Sequence, residues 1–176
     1  MDFLDIKQNK NTGANLASRS YEGIFFKRKE IYELFATDRK IEYKNEIIAT
    51  INNVKYINDA YSTNTNMTWF SMEQIPSRIV WIISDDNGIE NYYDLKMVVQ
   101  SKVSTIICFG KKLDKLYEAF NNTDQSIFFA NNIDEAVVLA SCFAKDNDAV
   151  LYSPANGIVS DVAERGLKFH NAVNKL

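Results

Sequence analysis

The sequence contains little glycine and little proline, with six Gly and two Pro among 176 residues. These two residue types form many of the turns that end helices and strands. Their scarcity argues against a chain built mainly of turns and favours long regular elements. Because 46% of the residues are apolar, the chain can bury the core of one domain, and its composition is not that of a disordered chain.

Cysteine is also scarce: Cys108 and Cys142 are the only two, and each lies inside an apolar segment. Two such thiols without metal-ligand spacing exclude a disulfide scaffold, and we predict that both are buried core thiols of a protein in a reducing compartment. No apolar run approaches the length of a membrane span, and the N-terminus lacks the features of a signal peptide. The sequence therefore predicts a soluble cytoplasmic protein with no metal site, no cofactor and no membrane partner.

An excess of positive charge is absent as well, since the net charge is −3. Proteins that bind nucleic acid usually present a basic face, so nucleic acid is not expected as a partner. The only short basic run is Lys27-Arg28-Lys29. We interpret it as the solvated face of a helix rather than a binding patch.

The first 37 residues differ in pattern from the rest of the chain. Residues 1 to about 20 are polar and predict a loose tail. Residues 23–36 carry apolar side chains partly at helical spacing, which predicts a short helix. We therefore predict an N-terminal segment 1–37 and one domain over residues 38–176.

A β-hairpin is the clearest local prediction near the start of that domain. Two β-prone runs, 46–51 and 54–57, are separated only by Asn52 and Asn53. Asparagine tolerates the positive φ that a type I′ turn requires at both central positions.

Strands and helices then alternate to the end of the chain. Apolar β-prone runs at 78–84, 104–109, 126–130 and 149–153 predict buried strands. Helical spacing or helix signals predict helices at 65–74, around 95–99, 113–120, 133–143 and 160–175. This alternation predicts an α/β, Rossmann-like fold with a mostly parallel sheet, flanking helices and an N-terminal β-hairpin.

Polar residues at the ends of the predicted strands are the candidates for capping or binding. Asn132 and Glu135 have capping-box spacing at the start of a helix. Asp85 and Asp86 follow a strand, and we interpret them as caps of the next helix rather than cation ligands. The loop from Asp59 to Asn64 joins a strand to a helix, which is where open α/β sheets place binding sites.

Several catalytic signatures are missing. No phosphate-binding loop is present, since Gly110-Lys111-Lys112 lacks both the earlier glycine and the hydroxyl residue, and no dinucleotide-binding glycine pattern occurs. The only histidine is His170, which we place at the surface or rim rather than in a catalytic role. Tyr61 is either a ligand-facing phenol or a packing residue, and the sequence leaves both open.

Several short motifs, taken in order, resemble the C-terminal domain of Mur ligases, most closely that of the ligases that add D-glutamate to UDP-N-acetylmuramoyl-L-alanine. The resemblance covers about residues 38–176. Its motifs are Asn58 to Asn64 with Trp69, Ile79 to Ile83, Ile106 to Gly110, Ser153-Pro154-Ala155, and Glu164-Arg165-Gly166 with Phe169.

The resemblance carries an expected role for this domain. Mur ligases have a UDP-sugar domain, a central ATPase domain and a C-terminal domain that acts as a mobile lid, bringing the incoming amino acid to an acyl-phosphate. By resemblance, the ligand-binding residues are expected to be Asp59, Tyr61, Thr63, Asn64, Asp86 and Ser153. Without the other two domains, the chain is not expected to form an acyl-phosphate by itself.

This chain departs from the family at its cationic positions. The D-glutamate ligases carry Asp-Ser-Lys-Ala-Thr-Asn with the Lys near the substrate carboxylate, and Tyr61 stands at that position here. The Tyr form is similar to that of the Mur ligase that adds D-Ala-D-Ala. A family Lys after the next strand also has no counterpart before Lys96. Each lost charge-assisted bond weakens binding by about 1.5–3 kcal/mol.

Three functions are compatible with these residues. The first is a stand-alone, non-catalytic Mur ligase C-terminal-like domain that acts as a binding or assembly module linked to peptidoglycan precursor synthesis. The second is an accessory lid, or a fragment, of an ATP-dependent D-glutamate-type ligase that works with a separate ATPase subunit. The third is an unrelated small-ligand binder. The expected partners are other cell-wall synthesis proteins or a Mur-type ATPase subunit.

Overall fold

A computed structural model describes residues 41–85 and 91–176, all within one compact unit, Arg39–Leu176. The tail and short helix predicted for residues 1–37 lie outside the described residues, and so do the basic run Lys27-Arg28-Lys29 and Asp86. The domain boundary at residue 38 stays a prediction.

The described residues form alternating strands and helices. The strands are β1 (Glu46–Ile51), β2 (Val54–Asn58), β3 (Ile79–Asp85), β4 (Val103–Gly110), β5 (Ser126–Phe129) and β6 (Ala149–Tyr152). The helices are α1 (Thr65–Gln74), α2 (Lys96–Lys102), α3 (Asp114–Phe120), α4 (Ile133–Phe143) and α5 (Val162–Val173). Short 3-10 turns at Tyr93–Leu95 and Val159–Asp161 lead into α2 and α5.

The strands form one six-stranded sheet in the order β1-β2-β6-β3-β4-β5. Only the β1–β2 pair is antiparallel; the other four pairs are parallel. The predicted Rossmann-like fold with an N-terminal hairpin is confirmed. Since the chain runs outward from β3 to β5 and then returns to place β6 beside β3, the strand order reverses between β3 and β6. Open α/β sheets place their ligand crevices at such a reversal.

The hairpin turn has the backbone conformation expected from its two asparagines. Asn52 and Asn53 have φ values of 50° and 60°, and the flanking residues Ile51 and Val54 are paired across the turn. Because asparagine tolerates positive φ better than most residues, the two-residue turn forms with little strain.

Alternating strand side chains build a core on each face of the sheet. One core packs Ile57, Trp81, Ile83, Ile106, Cys108 and Leu151 against α1, α2 and α3. The other packs Tyr56, Val80, Ile82, Ile107, Val150 and Tyr152 against α4 and α5. All seven residues of β3 are buried, as expected for a parallel strand covered on both faces.

Two burial predictions differ from the structure. The predicted strand at 126–130 forms as β5, but it is an edge strand bonded only to β4, so Phe129 is 54% exposed and packs on Tyr117 with ring centroids 6.3 Å apart. Cys108 is a buried core thiol, whereas Cys142 is exposed. The prediction for Cys142 is wrong because its position on α4 faces away from the sheet. No helix in 41–85 or 91–176 is long and apolar enough to cross a membrane.

Candidate functional site

The carboxyl ends of β2 and β6 meet at Asp59, whose side chain is completely buried. Its Oδ2 atom accepts hydrogen bonds from Ser62 Oγ at 2.6 Å and Ser153 Oγ at 2.7 Å. Its Oδ1 atom accepts the backbone N–H of Asn45 at 3.1 Å. Ser153 Oγ also lies 2.7 Å from Thr68 Oγ1 on α1, so a chain of hydroxyl groups ties the carboxylate to a helix.

Burial dominates the electrostatics of this group, which we call the Asp59 cluster (Asp59, Ser62, Thr68 and Ser153). Burial raises the pKa of the Asp59 carboxyl from 3.8 to about 6, although its hydrogen bonds act to lower it. The Asp59 carboxylate also affects Lys44. Burial lowers the pKa of Lys44, and the negative charge of Asp59 acts to raise it. A buried acid held by neutral donors is a costly arrangement that keeps one loop conformation in place.

The other predicted ligand residues of this loop are less buried. Tyr61 is half-buried, and its backbone N–H donates to the Tyr43 carbonyl at 3.0 Å. Thr63 Oγ1 contacts Met67 Sδ at 3.7 Å. Asn64 is the N-cap of α1, since its side chain accepts the N–H of Met67 at 3.0 Å. The structure therefore brings Asp59 and Ser153 together and gives Asn64 a capping role, while the ligand roles stay predictions.

A second buried carboxylate, Asp85, lies at the end of β3. Its Oδ2 accepts the hydroxyl of Tyr92 at 2.5 Å, and its Oδ1 accepts Asn156 Nδ2 at 2.9 Å. The interpretation of Asp85 as a helix cap is wrong, because its side chain points into the protein and α2 has no side-chain cap. The interpretation of Asp86 falls outside the described residues.

Arg165 of α5 holds together the loops that follow β2 and β6. Its Nη2 donates to the Ala60 carbonyl at 3.1 Å, and its Nη1 donates to the Asn156 carbonyl at 3.1 Å. Asn58 Nδ2 reaches the same helix through the Gly166 carbonyl at 2.8 Å. The planar guanidinium, with several fixed donors, suits such a bridge better than a lysine would.

Tyr92, Asn156 and Arg165 were not identified as functional residues from the sequence, and Asp85 was interpreted only as a helix cap. The position of Arg165 beside Gly166 in one of the matching motifs was the available signal. Tyr92 and Asn156 carry no recognisable local pattern. His170 is half-buried on α5, in agreement with the rim position expected for it.

These groups hold the loops of the protein in position. Asp59 and Asp85 both accept hydrogen bonds from protein donors, so each carboxylate is already engaged in the structure. Across the described parts of the chain, no group of three or more His, Cys, Asp or Glu side chains is arranged to hold a metal ion.

The capping interaction predicted at Asn132 is present. The Asn132 side chain accepts the N–H of Glu135 at 3.0 Å, and the Glu135 carboxylate accepts the N–H of Asn131 at 2.8 Å.

Comparison of the sequence with curated proteins gives a consistent result. The chain is 33% identical over 174 residues to a UDP-N-acetylmuramoylalanine–D-glutamate ligase of Christiangramia forsetii, covering 96% of this chain and 39% of that protein. A ligase of the same name from Porphyromonas gingivalis is 32% identical over 153 residues, or 85% of this chain and 34% of that protein. The chain thus spans only 34–39% of the length of these curated relatives. No protein-family profile matches it.

Solved structures share the fold. A domain attributed to a UDP-N-acetylmuramate:L-alanyl-γ-D-glutamyl-meso-diaminopimelate ligase of Haemophilus ducreyi matches 73% of this chain and 98% of its own length, with TM-score 0.52 and 18% identity. The UDP-N-acetylmuramate–alanine ligase MurC of Thermotoga maritima matches 81% of this chain and 36% of its own length, with TM-score 0.51 and 12% identity. The resemblance predicted from the short motifs is confirmed.

Proposed function

We propose that this chain, a Mur ligase C-terminal-like domain similar to that of the D-glutamate-adding ligases, is a non-catalytic binding module of peptidoglycan precursor synthesis. The free thiols Cys108 and Cys142 support a cytoplasmic location, because disulfides are typical of oxidising compartments. Its partners would be cell-wall synthesis proteins.

The main support for this proposal is that the loop after β2 lacks a cation for a substrate carboxylate. In the D-glutamate ligases this loop has a lysine near the substrate carboxylate, and here the position is Tyr61. The loop from Asp59 to Asn64 contains no cation of its own. Its one carboxylate is buried and bonded to Ser62 and Ser153. A substrate carboxylate placed at this loop would lack a charge-assisted bond worth about 1.5–3 kcal/mol.

The loop after β6 supports the same proposal. In that loop, Asn156 is engaged with Asp85 and Arg165. Polar groups at the predicted ligand edge of the sheet are thus bonded to one another. Such mutual bonding keeps a fold in place without providing donors for a substrate.

The alternative is a lid that works in trans with a Mur-type ATPase subunit, or a fragment of such a ligase. It is favoured by the alignment with Christiangramia forsetii, which covers 96% of this chain. An alignment over nearly the whole of this chain is expected if the domain still closes on an ATPase domain.

A ligation assay in trans tests the proposal against this alternative. Chain 1–176 is mixed with ATP, Mg²⁺, D-glutamate and UDP-N-acetylmuramoyl-L-alanine, alone and with a Christiangramia forsetii ligase truncated to remove the part that aligns with this chain. We expect no phosphate release above the truncated ligase alone. The removed part, added back separately, serves as the positive control. Ligation restored by chain 1–176 would replace the proposal with the lid alternative.

A binding experiment tests the effect of the missing cation at position 61. Calorimetric titration of D-glutamate should give no saturable heat with the natural chain, and Tyr61→Lys should gain binding by roughly one to two powers of ten. Tyr93→Lys is the matched control, since it adds the same charge at a side chain that is 60% exposed. Saturable D-glutamate binding by the natural chain would overturn the proposed loss of substrate recognition.

A further inference from the structure

A cleft opens at the carboxyl edge of the sheet on the face covered by α4 and α5. Its volume is about 630 Å³, within the range of about 300–1,000 Å³ that is typical of small-molecule sites. The ends of β3 and β6 contribute Ser84 and Tyr152 to its floor. These are the two strands between which the strand order reverses.

The cleft is distinct from the Asp59 cluster because the two lie on opposite faces of the sheet. Side chains alternate along each strand, so Tyr152 points toward α5, where its ring stacks on Phe169 at 5.2 Å. The next residue, Ser153, points to the other face and bonds Thr68 of α1. A ligand in the cleft would therefore not occupy the loop positions that the family resemblance assigns to the amino acid.

Positive side chains dominate the lining. Lys111, Arg165, Lys168 and Lys175 line the cleft together with a single acid, Asp134. Lys175 pairs with Asp134 at 2.8 Å, and Lys168 pairs with Glu164 at 2.6 Å. Both pairs are exposed, and such pairs contribute little and exchange readily. Among the described residues, no carboxylate pairs with Arg165 or Lys111, so a net positive potential remains.

The rest of the lining suits the organic part of a ligand. Phe109 and Ile133 provide apolar surface, and both are only partly buried against the core. Ser84 Oγ and Tyr152 OH lie 3.4 Å apart and provide hydroxyls that can donate or accept. An apolar wall with a few convergent polar groups and surplus cations is the usual composition of a metabolite site.

We propose that this cleft binds a small phosphate-bearing molecule, with its phosphate at Lys111 and Lys168 and its organic part against Phe109 and Ile133. A phosphate monoester carries about −1.5 to −2 charges at pH 7, which matches several cations better than a single carboxylate does. The site goes beyond the proposed module role and does not depend on it. It would stand even if the chain proved to be an active lid.

Titration of full-length chain 1–176 with three probes tests the site. Inorganic phosphate and adenosine monophosphate should each cause saturable amide shifts in ¹⁵N NMR spectra, with AMP reaching a dissociation constant of about 1 mM or tighter. The shifts should include Ser84, Lys111 and Lys168. Adenosine, which lacks the phosphate, should bind at least about tenfold more weakly than AMP.

Charge-reversal variants identify the residues responsible. Lys111→Glu and Lys168→Glu should each weaken AMP binding by about tenfold, the effect of losing roughly 1.4 kcal/mol of charge interaction. Lys145→Glu is the matched control. It makes the same change in net charge at the C-terminal end of α4, at the opposite edge of the sheet, and should leave affinity within about twofold.

Two outcomes would overturn the proposal. The first is the absence of a saturable response to both phosphate and AMP. The second is an equal loss of affinity in Lys145→Glu and Lys111→Glu, which would indicate unspecific attraction to the whole protein. Thermal unfolding of each variant, measured without ligand, separates a loss of binding from a loss of fold.

Discussion

Ser153 Oγ donates a 2.7 Å hydrogen bond to Asp59 Oδ2, and the two residues are 94 positions apart in the chain. The bond joins the ends of the parallel neighbours β2 and β6. Both side chains are completely buried. Because a buried polar group is costly unless it has a partner, each of these residues requires the other to be in place.

Removal of the Ser153 hydroxyl should therefore destabilise the fold. Ser153→Ala deletes the bonds to Asp59 and Thr68 and leaves a buried carboxylate with fewer donors. We expect the free energy of unfolding to fall by about 2–3 kcal/mol, measured by urea denaturation. Ser160→Ala removes a hydroxyl that bonds Asp161 on the surface and should change stability by less than about 0.5 kcal/mol. Equal effects of the two variants would contradict the importance of the buried network.

The pKa of Asp59 predicts how stability depends on pH. Burial raises its pKa in the folded state to about 6, from 3.8, so the folded protein holds this proton more tightly than the unfolded chain. The stabilising contribution is fully present below pH 4 and is lost as the pH rises through about 6. Over that window it amounts to about 3 kcal/mol.

Asp59→Asn should remove this contribution to the pH dependence. Urea unfolding of both proteins between about pH 4 and pH 7 would give a curve for the variant that falls less steeply with rising pH. Asp124→Asn removes an exposed carboxylate and serves as the control. A variant curve parallel to that of the natural chain would show that Asp59 does not titrate in this window.

Adjacent tyrosines offer a matched test at the second buried acid. Tyr92 is 1% exposed and donates to Asp85, whereas Tyr93 is 60% exposed. Tyr92→Phe keeps the ring contact with Phe120 but removes the hydroxyl, so stability should fall by about 1.5–3 kcal/mol. Tyr93→Phe should cost less than about 0.5 kcal/mol. Comparable unfolding midpoints for the two variants would contradict a structural role for the Tyr92–Asp85 bond.

A glycine is required at position 110, where the end of β4 pairs with Asp85 at the end of β3. Its φ is +119°, and an added Cβ would overlap the backbone carbonyl of Asp85. Gly110→Ala should therefore lower the free energy of unfolding by about 3 kcal/mol or more, since neither backbone can move without breaking the sheet.

Gly157→Ala is the comparison for this variant. Gly157 also has a positive φ, +109°, but its added Cβ would meet the guanidinium of Arg165. The end of a long side chain can move aside, so the cost should be smaller than at Gly110. Thermal unfolding of both variants measures the difference, and a larger loss at Gly157 would show that the carbonyl contact is not the limiting one.

Hydrophobic periodicity was sufficient to predict the fold because it reflects local physics. The strand at β3 was identifiable because seven successive residues are buried between helices on both faces. The hairpin was identifiable because Asn52 and Asn53 suit one turn type. The edge position of β5 could not be predicted in this way. Its sequence is apolar, but its exposure depends on which strands lie beside it, and that is decided by the order of strands in the sheet.

The site was less predictable because it is assembled over long sequence separations. Asp85 and Asn156 are 71 positions apart, and no local pattern indicates that they meet. An Asp that follows a strand can be either a helix cap or a buried hydrogen-bond acceptor. Asp85 is a buried acceptor because the Tyr92 hydroxyl donates to it. Arg165 and Lys168 lie on α5, whereas Lys111 follows β4, so each cation of the cleft resembles an ordinary surface residue when the sequence is considered alone.

Arg165 has a mechanical consequence for the domain. Since one guanidinium holds both the Ala60 and the Asn156 carbonyls, a displacement of either loop pulls on the same side chain and is transmitted to the other. The two strand ends should therefore loosen or tighten together. Arg165 also lines the cleft, so a molecule that enters there and shifts this side chain would alter both loops in a single step.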